Sequence, residues 1–392
     1  MILKGGRVAL GPERAVRRDL KISGGRIASN ARGPVIDVAG HMILPGLINA
    51  HDHLSFNLFP LLGRPPYPNA AEWARDIYKP DESPVKEHRA IPRGVRLAWG
   101  GLKNLASGVT TVAHHDPDPA SSFGARFPVR VAKAGWAHSL AFTPDIAERF
   151  RRTPKHLPFI LHLGEATDAE GAEEIFELDR RGLLDSRVVI VHGVALGDRG
   201  WKLLRARGAS VITCPVSNLF TLRRTIDPSA FRKRVRIALG TDSALTAPGD
   251  ILDALRAARE VWKLSAAVLY RMVTTDAAAV LRIHDGRGEI REGGTADVIV
   301  VRDDGKSPAQ TLIESRGVEM AIIGGRIRMV SEKFREFAGP RFEWIWMEQR
   351  GRMLVDAPVG ELYRKASARL GTVKLAGRRV RVRDGNNRIQ GG

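Results

Sequence analysis

Short apolar runs alternate along the middle of the chain with longer segments whose apolar residues recur every three or four positions. The runs close at His53, His114, His162, His192, Cys214 and Thr241, and two more strands are expected between Pro128 and Phe142, where the chain is cramped. Between the runs, Ala172, Ile175 and Phe176 fall on one helical face, and Asp198 and Asp250 are placed to cap helices. About eight strand-helix repeats predict an α/β fold, a (β/α)8 TIM-like barrel over residues 46–284.

The ends read differently. Gly5-Gly6-Arg7-Val8, Gly24-Gly25-Arg26-Ile27 and Gly324-Gly325-Arg326-Ile327 each lie between β-prone runs, a hairpin signal. Hairpins at both termini predict a small β-sandwich built from residues 1–45 and 285–332, with the barrel inserted. Residues 333–392, with Trp344 and Trp346, read as an extension packed on that β-domain and free of chemistry. The stretch 54–93 is long and proline-rich and carries Phe56, Phe59, Tyr67, Trp73 and Tyr78. A loop of that length over a barrel mouth suits a lid or binding loop, with a helix expected near 70–78.

Composition narrows the classes. With 392 residues, 43% hydrophobic and 27% charged, the chain suits a soluble globular protein. No apolar run approaches the roughly 18 residues of a membrane span, and the first residues lack an apolar signal core. A single cysteine, Cys214, rules out an internal disulfide framework, so a cytoplasmic location is expected and Cys214 reads as a small buried residue. The net charge of +19 raises nucleic acid as a partner, yet the basic runs are short and aromatics make up only 6%. A small-molecule substrate is expected instead, with neither nucleic acid nor membrane as partner.

The candidate chemistry sits at the strand ends. His51 and His53 are two residues apart on an extended run, so their imidazoles point the same way. His162 closes a second run with Glu165 three residues later, His192 closes a third, and Asp242 follows a fourth. Three imidazoles and a carboxylate suit zinc or iron(II) with one position left open. His114 and His115, next to Asp116, end the second strand as pocket candidates, and His138 is a further one. His41, His88, His156 and His284 lie off this constellation.

As an ordered set these motifs resemble the amidohydrolase superfamily, in the branch holding cytosine deaminase, guanine deaminase, S-adenosylhomocysteine deaminase and the s-triazine hydrolases. The resemblance rests on Pro45-Gly46 with His51-Asp52-His53, on Gly108-Val109-Thr110-Thr111-Val112, on His162-Leu163-Gly164-Glu165 and on Val191-His192-Gly193. It is completed by Cys214-Pro215-Val216-Ser217-Asn218, Leu239-Gly240-Thr241-Asp242-Ser243 and the late Gly293-Gly294-Thr295-Ala296-Asp297-Val298.

The resemblance implies one divalent metal per chain held by His51, His53, His162 and Asp242. It implies Glu165 as proton shuttle, His192 as the group orienting water or substrate, and Asn218 and Ser243 near the pocket. The expected reaction is hydrolytic deamination of a small aminated heterocycle. The alternatives are a mononuclear amidase, cyclic amidase or chlorohydrolase, and a non-catalytic binding protein on the same scaffold. A homo-oligomer would be in keeping with the family. Three departures bear on the substrate: Thr213 stands where relatives commonly have histidine, the early half of the barrel is compressed, and the loop after His53 matches no substrate signature. Lys133, the only nearby candidate for the bridging lysine of two-metal members, is poorly placed, and the spacing of His162 and Glu165 points to one metal.

Overall fold

The computed structural model describes residues 1–383 and 389–391. The middle of the chain carries eight strands: β1 (Leu47–Asp52), β2 (Val109–His114), β3 (Arg130–Val131), β4 (Gly135–Trp136), β5 (Phe159–Leu163), β6 (Val188–His192), β7 (Ser210–Thr213) and β8 (Ile237–Leu239). They pair in parallel, in a sheet ordered β3-β2-β1 and another ordered β4-β5-β6-β7-β8. Past β8, the Thr241 and Asp242 N–H groups donate to the His51 carbonyl at 3.0 and 3.1 Å, tying that edge to β1. The cramped third and fourth strands are two residues each.

Alternation divides these strands between two cores. Ile48, Ala50, Ala113, Ile160, Val189, Val191, Ile212 and Ala238 share an inner cluster drawn from both sheets. Their neighbours Leu47, Phe159, Leu161, Val188, Ile190 and Val211 face the helices. Both faces are therefore buried, which is why the strands read as near-continuous apolar runs.

Several helix expectations need adjustment. The helix Ala169–Arg180 buries Gly171, Ile175 and Leu178, with Phe176 only half-buried. Asp198 sits inside the first turn of Asp198–Arg207, and Gly197 takes the cap position without a side-chain bond. Asp250 does cap Ile251–Trp262, and Asp253 completes a capping box. In the long loop, Asn69 caps the helix Ala70–Ile77 by accepting from the Glu72 N–H.

Two of the three Gly-Gly turns are hairpins, Leu20–Ser23 with Arg26–Ala28 and Met320–Ile323 with Arg326–Ser331. The first is not. Ile2–Lys4 joins a four-stranded sheet, whereas Arg7–Ala9 joins a larger mixed sheet beside His41–Pro45. Gly5, at φ 80°, turns the chain from one sheet to the other. The two sheets share a core of Leu3, Val8, Ile22, Ile36, Ile43, Val298, Val300 and Ile322, drawn from both chain ends.

The extension continues the mixed sheet through Gly351–Val355, which pairs with Arg326–Ser331. It also reaches the central helices, where Trp99 Nε1 donates to the Lys374 carbonyl at 2.9 Å. Residues 384–388 and 392 of the extension lie outside the described residues. Among the described residues no helix is long and apolar enough to cross a membrane.

Candidate metal centre and active site

His51 is the penultimate residue of β1, and His53 lies one residue past the strand, where the chain still carries both rings to the same side. β5 delivers His162 and the turn after β8 delivers Asp242. The four side chains converge. His162 Nε2 stands 3.3 Å from His51 Nε2 and 3.3 Å from His53 Nε2, and Asp242 Oδ1 lies 3.9 and 3.8 Å from the same two nitrogens. Gly240 is a spatial requirement here, since a Cβ on it would sit 2.7 Å from the His51 Cβ.

The outer hydrogen bonds settle which ring nitrogens carry protons. His162 Nδ1–H donates to the His138 carbonyl at 2.8 Å, and His53 Nδ1–H donates to Asp116 Oδ1 at 2.8 Å. His115 Nε2–H donates to the Ala137 carbonyl at 2.9 Å, so its Nδ1 is left to accept from His51 Nδ1–H at 3.4 Å. The three Nε2 atoms thus face one point, those of His51 and His162 as bare lone pairs and that of His53 able to become one when a cation takes the place of its proton. Lone pairs 3.3 Å apart repel unless a proton or a cation lies between them. Nitrogens about 2.0–2.1 Å from a tetrahedral zinc stand about 3.3–3.4 Å from one another, so the donor set fits such an ion.

The electrostatics agree. Burial first, then the neighbouring imidazoles, hold His51 and His162 well below the usual histidine pKa, so their nitrogens stay free of protons. Burial also opposes a charge on His53, but the carboxylates of Asp116, Asp242 and Asp52 outweigh it and raise His53 to about 9. The point they share is one where positive charge is stabilised. Asp242 is itself held by Ser217 Oγ at 2.7 Å, Thr246 Oγ1 at 3.1 Å and the Ser243 N–H at 2.8 Å.

Glu165 Oε2 lies 3.5 Å from His192 Nε2. His192 donates Nδ1–H to Asn218 Oδ1 at 2.7 Å, which leaves Nε2 an acceptor facing the carboxylate. Desolvation, partly offset by His192, raises Glu165 to about 7. His192 and Asp242 both adopt left-handed backbone, at φ 76° and 58°. Strain of that kind in non-glycine residues gathers at functional sites.

A cavity of about 530 Å³ opens over this floor, lined by His53, His162, Glu165, His192, Asp242 and Ser243 below and by Phe56, Phe59, Trp73 and Tyr78 from the long loop. His138 and Phe142 add to its wall. Tyr67 instead bonds to Asp76 within the loop. His115 is buried behind His51, and Asn218 behind His192. His114 faces a separate cavity, accepting from the Leu54 N–H at Nδ1 and donating Nε2–H to Asp118 at 2.8 Å. With both nitrogens engaged, it has no lone pair to offer an ion. Lys133 is exposed on the link between β3 and β4. Cys214 is fully buried, and burial pushes its thiol pKa well up.

The sequence reading passed over the layer beneath the centre. Asp52, between the two histidines, points away from them and is fully buried, 3.0 Å from the buried Lys103 ammonium. Asn104, Asn57 and Thr241 also donate to it. One signal was available. Period-two alternation turns the residue between two site histidines into the interior, where a carboxylate needs partners.

Known proteins match this chain at three levels. A family model described as the amidohydrolase family matches residues 146–328. The 5-methylthioadenosine/S-adenosylhomocysteine deaminase of Pyrococcus furiosus is 28% identical, the match covering 85% of this chain and 96% of that one. Over residues 146–328 the chain is similar to the amidohydrolase family. A second relative of the same name, from Syntrophobacter fumaroxidans, is 27% identical over 84% of this chain and 87% of its own. Two solved structures superpose well. One is an adenosine deaminase from Xanthomonas campestris with bound zinc, at TM-score 0.69, 20% identity, 94% of this chain and 97% of that one. The other is an atrazine chlorohydrolase variant from Arthrobacter aurescens complexed with zinc and atraton, at TM-score 0.71, 18% identity, 94% and 99%. At such identities these two speak for the fold alone.

Proposed function

We propose that this chain is a metal-dependent hydrolase that deaminates a small aminated heterocycle. The observation that carries the reading is the convergence of three histidine Nε2 atoms and Asp242 beside Glu165, on the floor of an aromatic cavity. The deaminase names of the relatives point to the same chemistry. In this reading the eight strands close into one barrel set in a β-sandwich made from the two chain ends.

His51, His53, His162 and Asp242 would hold one divalent ion, proposed as zinc. When bound, such an ion supplies Lewis acidity and a water that ionises near neutral pH. Glu165 takes a proton from the water that adds to the ring carbon bearing the amino group. It delivers that proton to the amino nitrogen as the carbon–nitrogen bond breaks. The second proton of the water passes from the hydroxyl to the adjacent ring nitrogen, so the amino group and water become a ring carbonyl, a ring N–H and ammonia, and Glu165 returns to its starting state. A carboxyl near pKa 7 is suited to giving and taking a proton at neutral pH. His192, fixed in one tautomer by Asn218, keeps an acceptor turned toward the same space. Phe56, Phe59 and Trp73 supply flat apolar walls for a ring and exclude bulk water.

The test is ammonia release by metal-quantified protein against aminated pyrimidines, purines, pterins and triazines. Release proportional to about one metal per chain supports the reading. Full metal occupancy with no ammonia from any ring overturns deamination and turns the search to amides and aryl halides.

A further inference from the structure

The cavity has a cationic rim whose lining holds no acid beside it. Apart from Glu165 and Asp242 on the floor, its charged lining residues are Arg89, Arg93 and Arg96. Two of them are accounted for. Arg93 binds Asp118 through two hydrogen bonds of 2.5 and 2.6 Å, and Arg89 is exposed, 5.8 Å from the centre of the Tyr78 ring.

Arg96 differs from both. It lies in the helix Arg93–Ala106 and is only 8% exposed. Its Nε donates to the Ile91 carbonyl at 3.1 Å, and the guanidinium makes no other hydrogen bond and no ion pair among the described residues. Buried guanidinium groups are ordinarily matched by a carboxylate, because an uncompensated charge away from water is unfavourable. Here burial first, and then the charge of Arg93, lower the pKa of Arg96, and the carboxylates of Asp116 and Asp118, neither within ion-pair distance of it, offset only part of that. With Nε engaged, the two terminal nitrogens remain as the side-by-side donors that grip a carboxylate in two bonds.

Building on the deaminase reading, we infer that Arg96 is the anchor of an anion subsite and that the substrate is an aminated ring carrying a carboxylate. The ring stacks between the loop aromatics over the metal centre, and the carboxylate takes the place opposite Arg96. The net charge of +19 favours approach of such an anion.

Benzoate and benzamide are matched probes for calorimetry on the metal-loaded protein, since they differ only in the anionic group. Wild-type protein is expected to bind benzoate at least about tenfold more tightly, the scale of a charge-assisted pair. Arg96→Gln should abolish that preference, and Arg96→Lys should keep part of it. Equal binding of the two probes by wild-type protein overturns the subsite without any variant. A preference that persists in Arg96→Gln also overturns it, because the anion then sits elsewhere, for instance on the metal. In turnover, each aminated ring is compared with its carboxylated derivative, and Arg96→Gln should collapse the ratio of their kcat/KM values. Absence of ammonia from every ring, with the benzoate preference intact and lost in Arg96→Gln, would sink the deaminase reading and leave the subsite standing.

Discussion

His51 and His115 meet Nδ1 to Nδ1 at 3.4 Å, so the tautomer of one dictates that of the other. His115 is anchored by its Nε2–H on the Ala137 carbonyl, and so it accepts from His51 and frees the His51 Nε2 lone pair. Burial first, then the charge of His53, keeps His115 neutral by lowering its pKa to about 3. A residue set behind the cavity floor thereby orients a proposed metal ligand.

His115→Ala is expected to lower metal affinity by about ten- to a hundredfold, the usual effect of losing an outer partner of a ligating histidine. Competition against a chelator measures it. Unchanged affinity would remove His115 from the proposed centre.

Asp242 contributes the only carboxylate oxygen among the four converging groups, and three hydrogen bonds fix it from behind. Asp242→Ala should strip the metal on dialysis and abolish turnover. Metal analysis that finds full occupancy in this variant would break the ligand assignment. Ser217→Ala leaves the carboxylate in place with one partner fewer, so a smaller loss of affinity is expected there.

Glu165 links the proposed chemistry to stability. Its carboxyl is raised from the ordinary range to about 7 by burial. The folded state therefore holds a proton between about pH 4.5 and 7 that the unfolded chain has released, and stability falls as pH rises through that window. Glu165→Gln cannot ionise. In metal-stripped protein at pH 8 it should be more stable than wild type, by on the order of 1–3 kcal/mol. Turnover should drop by roughly 10²–10⁴ while metal content is kept. Wild-type kcat/KM should rise with pH up to about 7 as the base form appears. Urea melts and a pH–rate profile decide these points, and a Glu165→Gln variant of undiminished rate would remove the residue from the mechanism.

What could be read from the sequence follows its physics. Strand ends bearing His51, His162, His192 and Asp242 are visible because buried parallel strands are apolar on both faces and stop abruptly at a polar residue. Two kinds of feature were hidden. The tautomer relay through His115 and the Lys103–Asp52 pair join residues 64 and 51 positions apart, and nothing local marks such partners. Gly5-Gly6 looks locally like the other two Gly-Gly turns, yet its flanking strands belong to different sheets, a choice made by distant partners such as Met42 and Val35. Arg96 shows the same limit. Its spacing places it on a helix, but only the fold reveals that no carboxylate comes to meet it.

The extension is fastened to the central helices by buried charge. Arg350 Nη2 lies 2.7 Å from Asp250 Oδ2, with side chains 3% and 1% exposed, and Arg378 grips Asp253 at 2.8 and 2.9 Å. Asp250 is also the cap of Ile251–Trp262, accepting from the Leu252 and Asp253 N–H groups. Arg350→Met leaves that buried carboxylate only the longer 3.6 Å contact with Arg378 and its two capping N–H groups, and a loss of up to about 3–5 kcal/mol is expected. Urea unfolding should show a lower midpoint at unchanged slope. Asp250→Asn retains a capping oxygen, so adding it to Arg350→Met should recover part of the loss. Acid sensitivity follows from the second pair. Burial opposes ionisation of Asp253, but Arg378 outweighs it and holds the carboxyl well below the usual range. Its contribution is complete above the ordinary carboxylate pKa and is lost only as pH falls on through the depressed folded value. Arg378→Met should therefore cost most near neutral pH and progressively less as pH falls below about 4, with part of the cost still present at pH 3. An equal cost at both values would mean that packing of the arginine, and not its charge, joins the extension to the helix.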